Sequence, residues 1–271
     1  MRILIPTYMR EDNQRCWDNM PESVRSRTTL CTRSDRVDVL KENYPDADVL
    51  DIGMTDGIAD VRQRLVNLGN GEKIMIIDDN CTFMYRDEEM KLKKMETEEQ
   101  WFEMLSMVEE ELDNYAWVGI SDRAGNNRIE EDLVEITRSY SCYGINTQMF
   151  NDNDISFDGM WSKDKNIKLF EDFYAILSLL KAGMKNAVIY KYAFNHPHGK
   201  PGGNSTFRNG ELQESCYRAL QREFPGVVKL TVKENASWTT DEGSTTRVEA
   251  IISWKKAFID RSGATLDEFF G

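Results

Sequence analysis

An apolar run in this chain, Ile74-Met75-Ile76-Ile77, is followed at once by two carboxylates and an amide, Asp78-Asp79-Asn80. Four consecutive apolar residues, three of them β-branched, after the turn signal Asn70-Gly71, predict a strand covered on both faces. In open α/β sheets ligands bind beyond the carboxyl ends of strands, so Asp78 and Asp79 stand where a ligand arrives. Adjacent carboxylates repel and resist desolvation unless a cation or donors compensate them, which makes a hard divalent metal their natural partner. A solvated turn after a strand is the plain alternative. A second acidic pair, Glu171-Asp172, opens a leucine-rich helix. Acids in a first helical turn are favoured by the dipole alone, so this pair too has a structural reading. Both histidines, His196 and His198, fall in the stretch 185–210, which holds no acid but carries Lys185, Lys191, Lys200 and Arg208. The glycine-rich loop that follows them, through Gly202, Gly203 and Asn204, can approach a ligand closely.

Elements must bring these groups together. Residues 2–5 form an apolar strand stopped at Pro6, whose ring cannot donate to a ladder, and this leaves Thr7, Tyr8 and Arg10 at the same sheet edge as Asp78. Strands at 28–32 and 47–52 alternate with helices at 34–43 and 57–68, the latter carrying Arg62 and Arg64. That alternation argues for an α/β fold with a mostly parallel mixed sheet flanked by helices. Residues 86–115 hold eleven acids against four bases and read as a solvated helix face whose buried stripe is Trp101, Phe102, Leu105, Val108 and Leu112. Strands follow at 116–120 and 139–145, a loop at 123–127, a carboxylate-rich connection at 151–158, a helix from Glu171 towards Gly183, a helix at 211–223 and a strand at 227–232.

With 271 residues, 40% of them hydrophobic, the chain can bury a large core, and one domain over 1–230 with an extension at 231–271 packed on it is the expected organisation. The formal charge of −13 excludes a protein that coats polyanions over its whole surface and leaves room for a local basic groove. The five cysteines are odd in number and form no C-x-x-C pair, the pattern of reduced cytosolic thiols. No apolar run approaches the roughly 18 residues of a membrane span, and a strand beginning at Arg2 leaves no room for a signal peptide, so a cytoplasmic protein without a membrane partner is expected.

Taken in order, Ile5-Pro6-Thr7-Tyr8, Arg62 in a helix before an apolar strand, the Asp-Asp run, and Glu-Asp opening a leucine-rich helix that ends in Gly resemble the GT-A glycosyltransferases. More narrowly, Phe170-Glu171-Asp172-Phe173 through Leu180 and Gly183, then Gly202-Gly203-Asn204-Ser205-Thr206-Phe207-Arg208 and Phe224-Pro225, resemble the TET-associated glycosyltransferases over about residues 2–230. That family, found in phages, glycosylates 5-hydroxymethylpyrimidines in DNA, so the host cytoplasm is the implied location. The resemblance implies a GT-A-like nucleotide-binding fold and a metal-dependent, inverting transfer from a nucleotide-sugar, a UDP-sugar at family level, to the hydroxyl of 5-hydroxymethylcytosine or a related base.

The same resemblance implies roles. Asp78, Asp79 and Asn80 stand in the D-x-D position that holds the ribose and a Mn²⁺ or Mg²⁺ ion bridging the diphosphate. Asn80 replaces the usual Asp and can ligate only through its uncharged carbonyl oxygen, which leaves the assignment between Asp78 and Asp79 open. His196 or His198 completes the metal sphere or touches the diphosphate, and Lys200 or Arg208 assists there. Pro6, Thr7, Tyr8, Arg10 and Arg62 match the donor-gripping region, with packing as the other reading of Tyr8. Asp172 matches the general base, since an acceptor hydroxyl is a poor nucleophile until its proton is taken, and Glu171 orients the acceptor beside it. Lys191, Gly202, Gly203, Asn204 and Arg208 form the expected DNA face, with Arg218, Arg222 and Lys229 nearby. Three other functions compete: transfer to a protein, metabolite or polysaccharide; nucleotide-sugar binding without catalysis; and nucleotidyl transfer with release of pyrophosphate.

Overall fold

Every side chain from Ile74 to Ile77 is fully buried in the computed structural model of the chain, which describes residues 1–196, 208–234 and 244–262. The first half runs β1 (Arg2–Pro6), α1 (Arg15–Asp18), α2 (Glu22–Arg25), β2 (Thr28–Thr32), α3 (Val37–Asn43), β3 (Asp48–Asp51), α4 (Ile58–Gly69) and β4 (Lys73–Ile77). Then come β5 (Thr82–Arg86), β6 (Leu92–Lys94), α5 (Glu98–Glu111), β7 (Trp117–Asp122), the irregular turn α6 (Arg123–Asn126), β8 (Leu133–Glu135), β9 (Cys142–Asn146) and α7 (Thr147–Asp152). The chain continues through α8 (Glu171–Lys181), β10 (Ala187–Asn195), α9 (Gly210–Glu223), β11 (Val228–Lys233), β12 (Arg247–Ile252) and α10 (Trp254–Ser262).

One ten-stranded sheet carries the molecule, ordered β3-β2-β1-β4-β9-β7-β10-β5-β6, with β8 also on β10. β3, β2, β1 and β4 are mutually parallel, as are β7 and β10; β9, β5 and β8 run against their neighbours. Seven of the ten strands therefore point one way, the mostly parallel mixed α/β sheet that the alternation of strands and helices predicts. Period-two alternation splits β4 between two cores. Ile74 and Ile76 pack with residues of α4, α7, α8 and α9, whereas Met75 and Ile77 pack with residues of α1, α2, α3 and α5. Each such side chain contributes about 1.5–3 kcal/mol on burial, and this fixes which strand end presents Asp78.

The acidic stretch departs from its expected single helix. A hairpin comes first, β5 paired with β6, and the helix starts only at Glu98, where Thr97 and Gln100 form a reciprocal capping box. Trp101, Leu105, Val108 and Leu112 are buried as expected, but Met104 joins them in place of the half-buried Phe102. Position 102 lies one residue off the stripe, about 100° around the helix. Beyond the main sheet, β11 and β12 form a two-stranded ribbon, with Leu230, Val248 and α10's Trp254 and Ala257 joining the core of α8 and α9. Residue 230, the expected division point, lies inside β11. Among the described residues no helix is long and apolar enough to cross a membrane.

Candidate active site at the strand ends

The parallel strands end together, and their loops meet. Asp79 follows β4 and is only 4% exposed, yet it is fully engaged. Thr7 Oγ1 donates to its Oδ2 at 3.0 Å and Arg10 Nη1 to its Oδ1 at 2.7 Å. Gln14 Nε2 in turn donates to Thr7 Oγ1 and to the Arg10 carbonyl, both at 2.7 Å. Burial pushes the Asp79 carboxyl up to about 6, against the pull of Arg10. Asp78 is oriented differently: its side chain is 30% exposed, and Arg62 Nη2 donates to its Oδ1 at 2.5 Å. Asn80 beside it is half-buried.

Arg62 joins the two acidic pairs. Its guanidinium comes from α4, lies buried over the Tyr143 ring at 5.6 Å, and reaches Asp78 on one side and Glu171 Oε1 at 3.7 Å on the other. Burial opposes its charge, but Tyr143, Asp78 and Glu171 hold it above its ordinary value, so it stays a cation. Its Nε and Nη1 have no hydrogen-bond acceptor among the described residues. Buried donors left in that state cost about 1–3 kcal/mol each, and an anion beside Asp78 would relieve them.

Glu171 and Asp172 open α8, whose N-cap Phe170 sits in the left-handed region at φ 67. A non-glycine residue there is strained by about 1–3 kcal/mol and is held by its surroundings. Here the Phe170 ring stacks on Tyr217 at 4.2 Å, and the Arg208 guanidinium lies 5.4 Å from its centroid. Burial raises the Glu171 carboxyl, with Arg62 pulling the other way. Asp172 rises well above the usual carboxylate range, through burial first and the adjacent Glu171 charge second. Its Oδ1 accepts from the Phe173 amide at 2.8 Å.

Other expected residues are distributed unevenly. Pro6 ends β1 in register with Cys31, and Tyr8 lies between two guanidiniums, Arg33 at 5.0 Å and Arg36 at 5.9 Å. Neither arginine is singled out by spacing, although both follow the end of a strand, the one cue that pointed to them. His196 leaves β10 with its ring against Tyr140 at 5.9 Å and Phe194 at 5.5 Å. Arg208 Nε and Nη2 donate to Gln213 Oε1 at 3.1 and 2.8 Å. Lys191 Nζ donates to Glu103 of α5, on the face of the sheet opposite α8 and so apart from Glu171 and Asp172. A partner 88 residues away in sequence is not visible in local charge. His198, Lys200, Gly202, Gly203 and Asn204 lie outside the described residues.

As donors for a divalent ion, these groups fit in part. Among the described residues no three His, Cys, Asp or Glu side chains form a metal cluster, and both Asp79 oxygens are already taken by Thr7 and Arg10. The outward Asp78, through Oδ2, and the Asn80 amide oxygen remain, an oxygen set suited to Mg²⁺ or Mn²⁺ held mainly by a ligand's phosphates.

Residues 1–203 match the family model of the TET-associated glycosyltransferases. The β-glucosyl-HMC-α-glucosyl-transferases of Enterobacteria phages T2 and T6 are each 26% identical over 196 residues, covering 68% of this chain and 64% of their own length. The chain thus spans less than two thirds of these relatives. Among solved structures, glucosyl-3-phosphoglycerate synthase from Mycobacterium tuberculosis in complex with Mg²⁺ and UDP superposes with a TM-score of 0.49 at 8% identity, over 93% of this chain and 86% of that one.

Proposed function

Because the chain belongs to the TET-associated glycosyltransferase family, we propose that it moves a sugar from a UDP-sugar to a hydroxyl on a modified pyrimidine of DNA. The observation that carries this reading is the Arg62 bridge. One buried cation ties Asp78, at the strand end where a nucleotide would bind, to Glu171 beside Asp172, so the donor and acceptor groups are linked through a single side chain. Transfer between two bound substrates needs that juxtaposition.

In this reading Tyr8, Arg33 and Arg36 form the wall for the nucleoside, and Thr7, Arg10 and Asp79 hold the loop that carries Tyr8. Pro6, Lys200 and one of the two histidines belong to the donor side as well. Asp78 and Asn80 would hold the divalent ion, which neutralises charge on the departing diphosphate. The guanidinium of Arg62 supports the same charge from within the protein. Asp172, its carboxyl raised by burial and by Glu171, takes the proton of the acceptor hydroxyl as that oxygen attacks the anomeric carbon, and Glu171 orients the acceptor. Direct displacement opposite the diphosphate inverts the sugar. In the part of the expected extension 231–271 that is described, Val248, Trp254 and Ala257 pack on the core of α8 and α9 of the transferase domain, and the host cytoplasm is where a phage enzyme would work.

The phage relatives are named for adding glucose to an already glucosylated base, which favours a second acceptor for this chain, a sugar hydroxyl on modified DNA. Mass spectrometry of nucleosides decides between them. Duplexes carrying 5-hydroxymethylcytosine or its β-glucosylated form are incubated with the chain, Mn²⁺ and mixed nucleotide-sugars. A gain of one sugar on the first supports the hydroxymethyl acceptor and on the second the sugar acceptor, while a gain on neither overturns the DNA reading. An α-linked product from an α-linked donor would overturn direct displacement.

A further inference from the structure

Arg138 stands out on the acceptor side, and neither the sequence motifs nor the family roles include it. Its side chain is 52% exposed, and its guanidinium stacks 4.4 Å from the centroid of Tyr140 and 5.9 Å from that of Phe173, the residue after Asp172. The nearest carboxylate oxygen, Asp122 Oδ2, lies 4.0 Å away. At that distance the contact with the largely buried Asp122 is loose, and with half of its side chain exposed the Arg138 guanidinium stays accessible to a ligand. Tyr140 Oη donates to the same Asp122 oxygen, which fixes the ring beneath the guanidinium.

The backbone on either side is pinned. Asn186 Nδ2 donates to the Thr137 carbonyl at 2.8 Å, and Trp117 Nε1 donates to the buried Ser139 Oγ at 3.1 Å. Ser139 is packed so closely that a Cβ added at Gly119 would come within 2.0 Å of its Oγ. Both flanks of Arg138 are thus constrained, and a held planar fork is the side chain suited to bidentate phosphate recognition. Its neighbours Asp122 and Phe173 belong to β7 and α8, whereas Thr7, Arg10 and Asp79 belong to the loops after β1 and β4.

We propose that Arg138, held on Tyr140 and against Phe173 of α8, binds a backbone phosphate of the DNA strand that bears the acceptor, making Arg138, Tyr140 and Phe173 an acceptor platform separate from the donor residues. This rests on the proposed DNA acceptor. A protein of net charge −13 needs such a local cation to seat a polyanion at its active edge.

The test is fluorescence anisotropy of a labelled duplex carrying 5-hydroxymethylcytosine, titrated with the full chain at several salt concentrations, beside calorimetric binding of uridine diphosphate. Arg138→Gln is expected to weaken duplex binding about tenfold and to lower the slope of log affinity against log salt by about 1. Uridine diphosphate affinity should not move. Arg138→Lys, which keeps the charge and loses the fork, should retain the salt slope with part of the affinity. Duplex affinity in Arg138→Gln within twofold of the parent would overturn the inference, as would an equal loss of uridine diphosphate binding. A parent chain with no salt-dependent duplex affinity would overturn the DNA acceptor itself, and the parent measurement alone reveals that case.

Discussion

Asp172 and Asp79 are both buried acids with raised carboxyls, and they should respond to pH in different observables. A general base works only when ionised, so turnover should fall on acidification through the Asp172 titration, well above the value near 3.9 of an ordinary aspartate. Asp172→Asn should lower turnover by about 10²–10⁴-fold while leaving uridine diphosphate affinity unchanged, measured by product formation and calorimetry. A turnover loss below tenfold would remove Asp172 from the role of base. Arg62 lowers both Glu171 and Asp172, so Arg62→Gln should move the acidic limb of the pH profile upward in whatever activity survives. Asp79 instead affects stability. Its folded value of about 6 exceeds the ordinary one, so the folded state binds the proton more tightly; its stabilisation is complete below about pH 4 and lost as pH rises through 6. Asp79→Asn should therefore flatten stability between those limits, with a difference from the parent approaching about 2–3 kcal/mol in denaturant titrations at pH 4 and 7. A parallel pH dependence in both proteins would show that Asp79 is not the titrating group.

At the scale of elements, α4 matters most, because it carries Arg62 and starts under strict geometry. Its N-cap Gly57 has φ 93, and a Cβ there would lie 1.8 Å from Trp161 Cζ2. Gly57→Ala should cost about 3 kcal/mol or more by thermal or denaturant unfolding, since ring and backbone must both shift. Adding Trp161→Ala should recover only part of the contact, because the positive φ remains; additive costs in that double mutant would show that the two residues do not meet. Much of this layer is legible in the sequence. The run 74–77 announces β4 because four apolar residues bounded by Asn-Gly and Asp-Asp fit only a strand covered on both faces, and Asp78 and Glu171 are placed at one edge by strand and helix ends. The β5–β6 hairpin is hidden because its edge strand β6, Leu92-Lys93-Lys94, is short and charged and lies among acids, so it looks like solvated helix. Nothing in Phe170-Glu171-Asp172 signals a left-handed N-cap, which the stack on Tyr217 maintains from 47 residues away. Arg138 and the Lys191–Glu103 pair were unreadable for the same reason: their meaning depends on partners supplied by other elements.

For the whole molecule the governing number is the charge, 34 basic residues against 47 acidic. If the acceptor is DNA, as proposed, a strand approaching the strand-end loops would meet local cations at Arg138 and Arg208 within a repulsive field, and salt would act on the two in opposite senses. Direct phosphate contacts weaken as salt rises, with a slope near −0.9 per neutralised phosphate. The distant acids are screened beyond about 10 Å at 0.1 M, so the repulsion fades as the contacts weaken. The expected result is a log–log plot of duplex affinity against salt with a slope of about −1 to −4 between 0.1 and 0.3 M, flattening below about 0.05 M where repulsion is no longer screened. Affinity measured by anisotropy over that range checks it. A slope near zero throughout would mean that the acceptor is not read through its phosphates and would return weight to a protein, metabolite or polysaccharide acceptor. A slope that stays steep to the lowest salt would mean that an extended basic face outweighs the −13, and the DNA would then lie along a surface much larger than the platform of Arg138, Tyr140 and Phe173.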